Sequence, residues 1–385
     1  MFEFIPDEIV TKKRQVRELL EELGLDAVYL KKSANFSWLT GGAYNLVGLA
    51  TEMGVAGALV TADKLFVVCS NIEAPRMRDE ERLEEEGYEI VAYPWNDDQE
   101  AAIVAKLAGL RSTGLRPTGL RPTGLKLGAD HAFPGAVDIS GRLNPLRYSL
   151  SPWEVERYRG QALDTARIAE ETALTIRPGD EERAVVGKLS EKLWKNGMDF
   201  IIAFCAADDR ISRFRHPVAT DRKIEKRAMI SVNSRRRGLI VSITRFVQFG
   251  KLPADLKKLY EDNVYVDTAM MAATIPGRPA VEVYEAALRA YAEVGYPEEY
   301  RLHHQGGSIG YIGRDYKVTA RTKEIIRENQ AFTWNPSITG MKSEDTMLAT
   351  TKGPVVLSEP QLFPVLTMER DGFVFRRPGI MELRG

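Results

Sequence analysis

Cysteine is scarce in this chain of 385 residues: there are only Cys69 and Cys205, far apart and outside any Cys-x-x-Cys pair. That scarcity excludes a disulfide framework and a thiolate zinc site, and it points to a reducing compartment with both thiols acting as small buried hydrophobes. Net charge is equally spare, at −1, so neither nucleic acid nor an anionic membrane is an expected partner. The run Arg235-Arg236-Arg237 is too short to alter that reading. No apolar stretch reaches the ~18 residues that a membrane-spanning helix needs. The start MFEFIPDEIVTKK lacks a basic lead into an apolar run, so no signal peptide is expected and a cytoplasmic location is. Histidine is the last scarcity: imidazole chemistry must come from His131, His216, His303 or His304.

What is present suffices for two or three domains with sizeable cores. Apolar residues at helical spacing (Ile9, Val10, Val16, Leu19, Leu20, Leu23) predict a helix over 7–23, with Gly24 as its C-cap. AVYL, GALVT and KLFVV read as short strands. An α/β domain over 1–148 follows. Within it GLRST, GLRPT, GLRPT and GLKLG succeed one another between Gly109 and Gly128, a five-residue repeat read as a surface loop lengthened by duplication. A second domain, 151–385, opens with Ser151-Pro152, a good N-cap and first helical residue. Helices are expected up to Arg177 and over 181–197, 253–273 and 281–294; strands are expected in IIAFCA, AMISVN, LIVSITRFVQFG, AFTWNPSI, DTMLATT and VVLSEP. Pro178-Gly179 and Pro276-Gly277 each precede a helix, a hint of two similar halves.

Four segments carry a resemblance. HPVATDRKIEKRAMISVN (216–233), SITRFVQFG (242–250), HHQGGSIGYIGRD (303–315) and WNPSITGMKSEDTML (334–348) stand in the order of the motifs of the methionine aminopeptidase, prolidase and creatinase superfamily. GLDAVYLKKSANFSWLTGG (24–42) is similar to that superfamily's N-terminal domain. The resemblance covers nearly the whole chain. It implies an α/β, ribonuclease-H-like N-terminal domain, an α+β pita-bread C-terminal domain and a homodimer.

Metal-bearing members of the superfamily use two Asp, one His and two Glu, hard oxygen donors with one imidazole around two ions. Carried across residue by residue, the first Asp falls on Asn233, or on Ser231 if the register shifts by two. The second Asp falls on Ser242, the His on Gly307 and the first Glu on Asn335; only the second Glu survives, as Glu344. Such a set lacks the charge that offsets dehydration of two dications, so no metal and no other cofactor is expected.

The resemblance then implies metal-independent chemistry. His216 aligns with the acid/base His of creatinase, and an imidazole titrates in the range needed to take a proton from water and return it to a leaving nitrogen. Glu344 would act beside it, with Asn335 positioning the scissile group. Asp345 would point the other way, because strand neighbours alternate. Arg314 falls where creatinase grips a substrate carboxylate, His303 and His304 would line the cleft, and Arg213, Arg215 and Arg245 would make it basic. Trp38 and Tyr44, in the loop expected at 34–45, are read mainly as core. The expected activity is hydrolysis, elimination or cyclisation of a small carboxylate-bearing nitrogen compound. The alternative is a non-catalytic binding protein, and a metal-dependent Xaa-Pro peptidase is least favoured.

Overall fold

The computed structural model describes residues 5–109 and 126–384. Most of the duplicated GLRPT segment lies outside the described residues. The chain divides into two compact units, Met1–Arg147 and Tyr148–Gly385.

In the first unit the helix Pro6–Leu23 ends where Gly24 turns left-handed, at φ 58°. This helix buries Ile9, Val16, Leu19 and Leu20. A six-stranded mixed sheet runs in the spatial order Glu89–Tyr93, Leu65–Ser70, Met53–Thr61, Ala27–Lys32, Leu127–Ala129, Ala136–Asp138. One expectation is corrected here. The start of the 34–45 loop is a helix, Ser33–Leu39, because Phe36, Trp38 and Leu39 are all driven into the core.

The second unit begins with the helix Pro152–Leu174, whose Ser151 and Glu154 form a reciprocal capping box. Its buried stripe of Tyr158, Ala162, Ala166, Ala169 and Ala173 recurs at helical spacing. The stripe packs on a hairpin of Arg227–Arg236 and Leu239–Phe249. The two-residue turn between them has Arg237 at φ 49° and Gly238 at φ 83°, the pair of positive values that matches the twist of hairpin strands. The register that results pairs Ser231 with Thr244 and Asn233 with Ser242. All four therefore share one face. Asp199–Ala207 and Met381–Leu383 complete this sheet.

A five-stranded sheet carries the rest, in the order Tyr316–Lys317, Gly306–Ser308, Gln330–Trp334, Asp345–Ala349, Val355–Val356. The helices Ala254–Ala272 and Val281–Glu293 cover it with an apolar cluster that includes Met270, Tyr291, Phe332 and Trp334. The hint of two halves has a structural counterpart. Gly179 N donates to Ile224 O, and Gly277 N donates to Ile326 O, each at the mouth of a helix.

The strand expected in VVLSEP stops at Val356 because Ser358 turns inward to bond Asp345. A hairpin of Val365–Arg370 and Phe373–Pro378 was not anticipated; its Asp371-Gly372 turn is a strong hairpin signal that sequence reading missed. Among the described residues no helix is long and apolar enough to cross a membrane.

Candidate functional site

Glu344 precedes the strand Asp345–Ala349 and is almost fully buried. Its Oε2 accepts from Lys342 Nζ at 2.7 Å, Thr244 Oγ1 at 2.8 Å and Ser231 Oγ at 3.1 Å. The Arg314 guanidinium stands 3.6 Å from Oε1. Burial would raise this carboxyl, but the two cations and the bonds from Lys342 and Thr244 outweigh it and hold it at about 2. Ser231, rather than Asn233, is thus the hairpin residue that reaches Glu344, in keeping with the shifted register. Glu344 does not anchor His216. Among the described residues its hydrogen-bond donors are Lys342, Thr244 and Ser231, so the side chain expected to act beside His216 instead holds Lys342 and Arg314.

One residue on, the chain faces the other way. Asp345 meets Arg245 at 3.0 Å and Arg377 at 2.9 Å, and Arg245 also meets Glu170 at 2.8 Å. Arg245 is 1% exposed and donates further to the carbonyls of Thr244 and Ser358. The expectation that Arg245 binds substrate is therefore wrong: strand alternation turns Thr244 to the site and Arg245 into a buried ion network. Arg213 and Arg215 are likewise spoken for, by Asp209 and Glu299. The basic character comes instead from Lys342 and Arg314.

Three of the four histidines gather beside this centre. His216 Nε2 lies 3.3 Å from His303 Nε2, and the rings of His303 and His304 are 4.5 Å apart. Burial, then the nearby cations, lowers all three: His303 to about 2, His304 to about 3, and His216 below its ordinary value. They are neutral imidazoles at physiological pH. His216 remains open to solvent, while His303 and His304 are half-buried. The pocket bordered by Phe214, Arg215, Met229, His303 and Lys342 holds about 10 Å³, room for about one water.

Arg314 donates to Gly313 O at 2.6 Å, while its buried Nε has no partner among the described residues. The buried Oδ1 of Asn335 and Oγ of Ser242 also lack one. Gly307 pairs with Thr333 on one side and Lys317 on the other. A Cβ there would meet the Tyr316 carbonyl oxygen at 2.0 Å.

These residues do not fit the two-metal centre implied by the resemblance. Glu344 is already neutralised by an ammonium and a guanidinium of the chain itself. Ser231, Asn233, Ser242 and Asn335 bring no charge, and the backbone around Gly307 has no room for an imidazole. Sequence reasoning missed Lys342 and Thr244. The signal for Lys342 was its period-two spacing from Glu344 in an extended segment.

The family described as metallopeptidase family M24 matches residues 158–351, and the creatinase/prolidase N-terminal domain matches residues 12–148. A Xaa-Pro dipeptidase of Pyrococcus horikoshii is 24% identical over 364 residues, 91% of this chain and 97% of that protein. The solved structure of a Xaa-Pro dipeptidase from Bacillus anthracis has a TM-score of 0.74 at 19% identity, covering 97% of this chain and 100% of that one. The N-terminal domain of FACT complex subunit SPT16 from chickpea has a TM-score of 0.69 at 14% identity, covering 93% of this chain and 98% of that domain. The two-domain architecture, creatinase-type N-terminal domain followed by a pita-bread domain, is that of these proteins.

Proposed function

The chain belongs to metallopeptidase family M24, and within that family we propose that it is a hydrolase of small carboxylate-bearing nitrogen compounds that works without metal at the family's ligand positions. The observation that carries this reading is the convergence of a neutral, solvent-facing His216 with two cations, Lys342 and Arg314, that share a single buried carboxylate. One negative charge against two positive ones leaves the centre net cationic, which suits an anionic substrate. The unpartnered Nε of Arg314 supplies a donor for its carboxylate. His216 takes a proton from water as the water oxygen bonds to the carbon of the scissile C–N bond. The imidazolium then returns that proton to the leaving nitrogen as the bond breaks. Glu344 acts through Lys342 and Arg314 as a positioning residue, and Asn335, with its unpartnered Oδ1, offers an acceptor to the scissile group.

A second reading, a binding protein without turnover, draws on the small volume of the pocket, about 10 Å³. The Xaa-Pro dipeptidase activity suggested by the relatives' names is disfavoured by the ligand set described above. The test is turnover of a panel of guanidino, amide and lactone compounds bearing a carboxylate, in chelator, by wild type and His216→Ala. Turnover confined to wild type supports the hydrolase. Equal turnover in both, or none in either, overturns it.

A further inference from the structure

We propose that His216, His303 and His304 form a binding site for one transition-metal dication of the zinc class, displaced from the family's own metal positions and built from nitrogen donors alone. Each of the three residues offers a ring nitrogen, and these atoms all lie within 4.8 Å of one another. The closest pair, His216 Nε2 and His303 Nε2, is 3.3 Å apart. Two nitrogens bound at ordinary zinc distances at a tetrahedral ion stand roughly 3.3–3.4 Å apart. The pair is therefore spaced as ligands of one ion would be. The buried Nδ1 atoms of both His303 and His304 have no hydrogen-bond partner among the described residues, so neither ring is committed elsewhere through that nitrogen. His303 and His304 follow the short helical turn Glu299–Leu302, and His216 precedes Pro217, so two separate segments of the chain close on the site.

The donor set decides which ion. Three imidazoles without a carboxylate suit zinc, cobalt, nickel or copper and offer little to manganese or magnesium, which favour oxygen. The solvent-facing side of His216 leaves a fourth position for water, as in open zinc sites. Lys342 stands nearby, but its charge is paired with Glu344 at 2.7 Å. Lys317 and Arg314 also face the cluster and weaken a dication's hold. Affinity therefore rests on the nitrogen lone pairs and not on stored negative charge. This site rests on the same residues as the proposed function and regulates it: an ion on the His216 ring nitrogen occupies the lone pair that would accept the proton.

The experiment is a cobalt titration of chelator-stripped, full-length protein, followed by visible absorption, with zinc titrated by calorimetry in parallel. Wild type is expected to take one equivalent and show the intense bands of four-coordinate cobalt. Manganese should not compete. His304→Ala and the milder His304→Gln should each weaken binding at least about tenfold, the lower bound for losing even an outer-shell partner of a metal ligand. Ser242→Ala, at a family ligand position, should leave binding unchanged. Absence of cobalt bands and zinc heat in wild type overturns the proposal. So does binding that survives both His304 variants, or that takes two equivalents and is lost in Ser242→Ala. Turnover in chelator is scored separately, so failure of the hydrolase reading and failure of the metal site remain distinguishable.

Discussion

Lys342 Nζ lies 2.7 Å from Glu344 Oε2, with one residue between them in an extended segment that turns both side chains to the same side. An ammonium thus occupies the ground beside this buried carboxylate. Lys342 and Arg314 both face Glu344, and these two cations are covalently part of the chain.

Removing one partner of a buried ion pair strands the other charge. Lys342→Met is expected to lower stability by about 3 kcal/mol, the lower end for a broken buried pair because Arg314 still faces Glu344. Lys342→Met combined with Glu344→Gln should recover most of that loss. Urea unfolding of the two single variants and the double variant reads the coupling; strict additivity would show that the pair does not interact.

Gly307 lies between two strands whose backbones leave no space for a side chain. Gly307→Ala is expected to destabilise at the upper end of the roughly 1–3 kcal/mol typical of overpacking. Gly307→His should not fold to a native melting transition, even combined with Asp and Glu at the other family positions. Thermal unfolding checks both, and a His variant with unaltered melting would show that the strand from Tyr316 can move aside.

Arg245 holds two strands and a helix together through Glu170 and Asp345. Arg245→Met is expected to cost about 3–5 kcal/mol, since it leaves Glu170 buried without its cation and Asp345 with Arg377 alone. In a cold-purified variant that remains folded, KM for any substrate found should match wild type. A raised KM with undiminished stability would return Arg245 to the binding site.

His303 and His304 titrate in the fold at about 2 and about 3, against ~6.5 in an unfolded chain. Between those values the unfolded state binds more protons, so their contribution is complete above pH ~6.5 and is lost as pH falls below it. Metal-free protein should therefore show a falling urea midpoint from pH 7 to pH 4. His304→Gln should flatten that slope while leaving the midpoint at pH 7.5 less affected. Parallel slopes for wild type and variant would mean that His304 protonates freely in the folded state.

Residue identity and spacing were enough to set the local elements and to expect uncharged side chains where the resemblance places metal ligands. Helical spacing placed Pro6–Leu23 and Pro152–Leu174, and the ordered motifs carried the family's ligand positions onto Ser, Asn and Gly as an expectation. Both are local properties, written in residue identity and in periods of 3.6 and 2.0. Long-range packing was needed to bring Ser231 and not Asn233 to Glu344, to seal Arg245 away from the cleft, to set Lys342 against Glu344, and to bring His216 to His303 across 87 residues of chain. A strand pattern says that two faces exist. Which face meets which neighbour depends on pairing partners distant in sequence, and a shift of one residue would exchange every side chain between the site and the core.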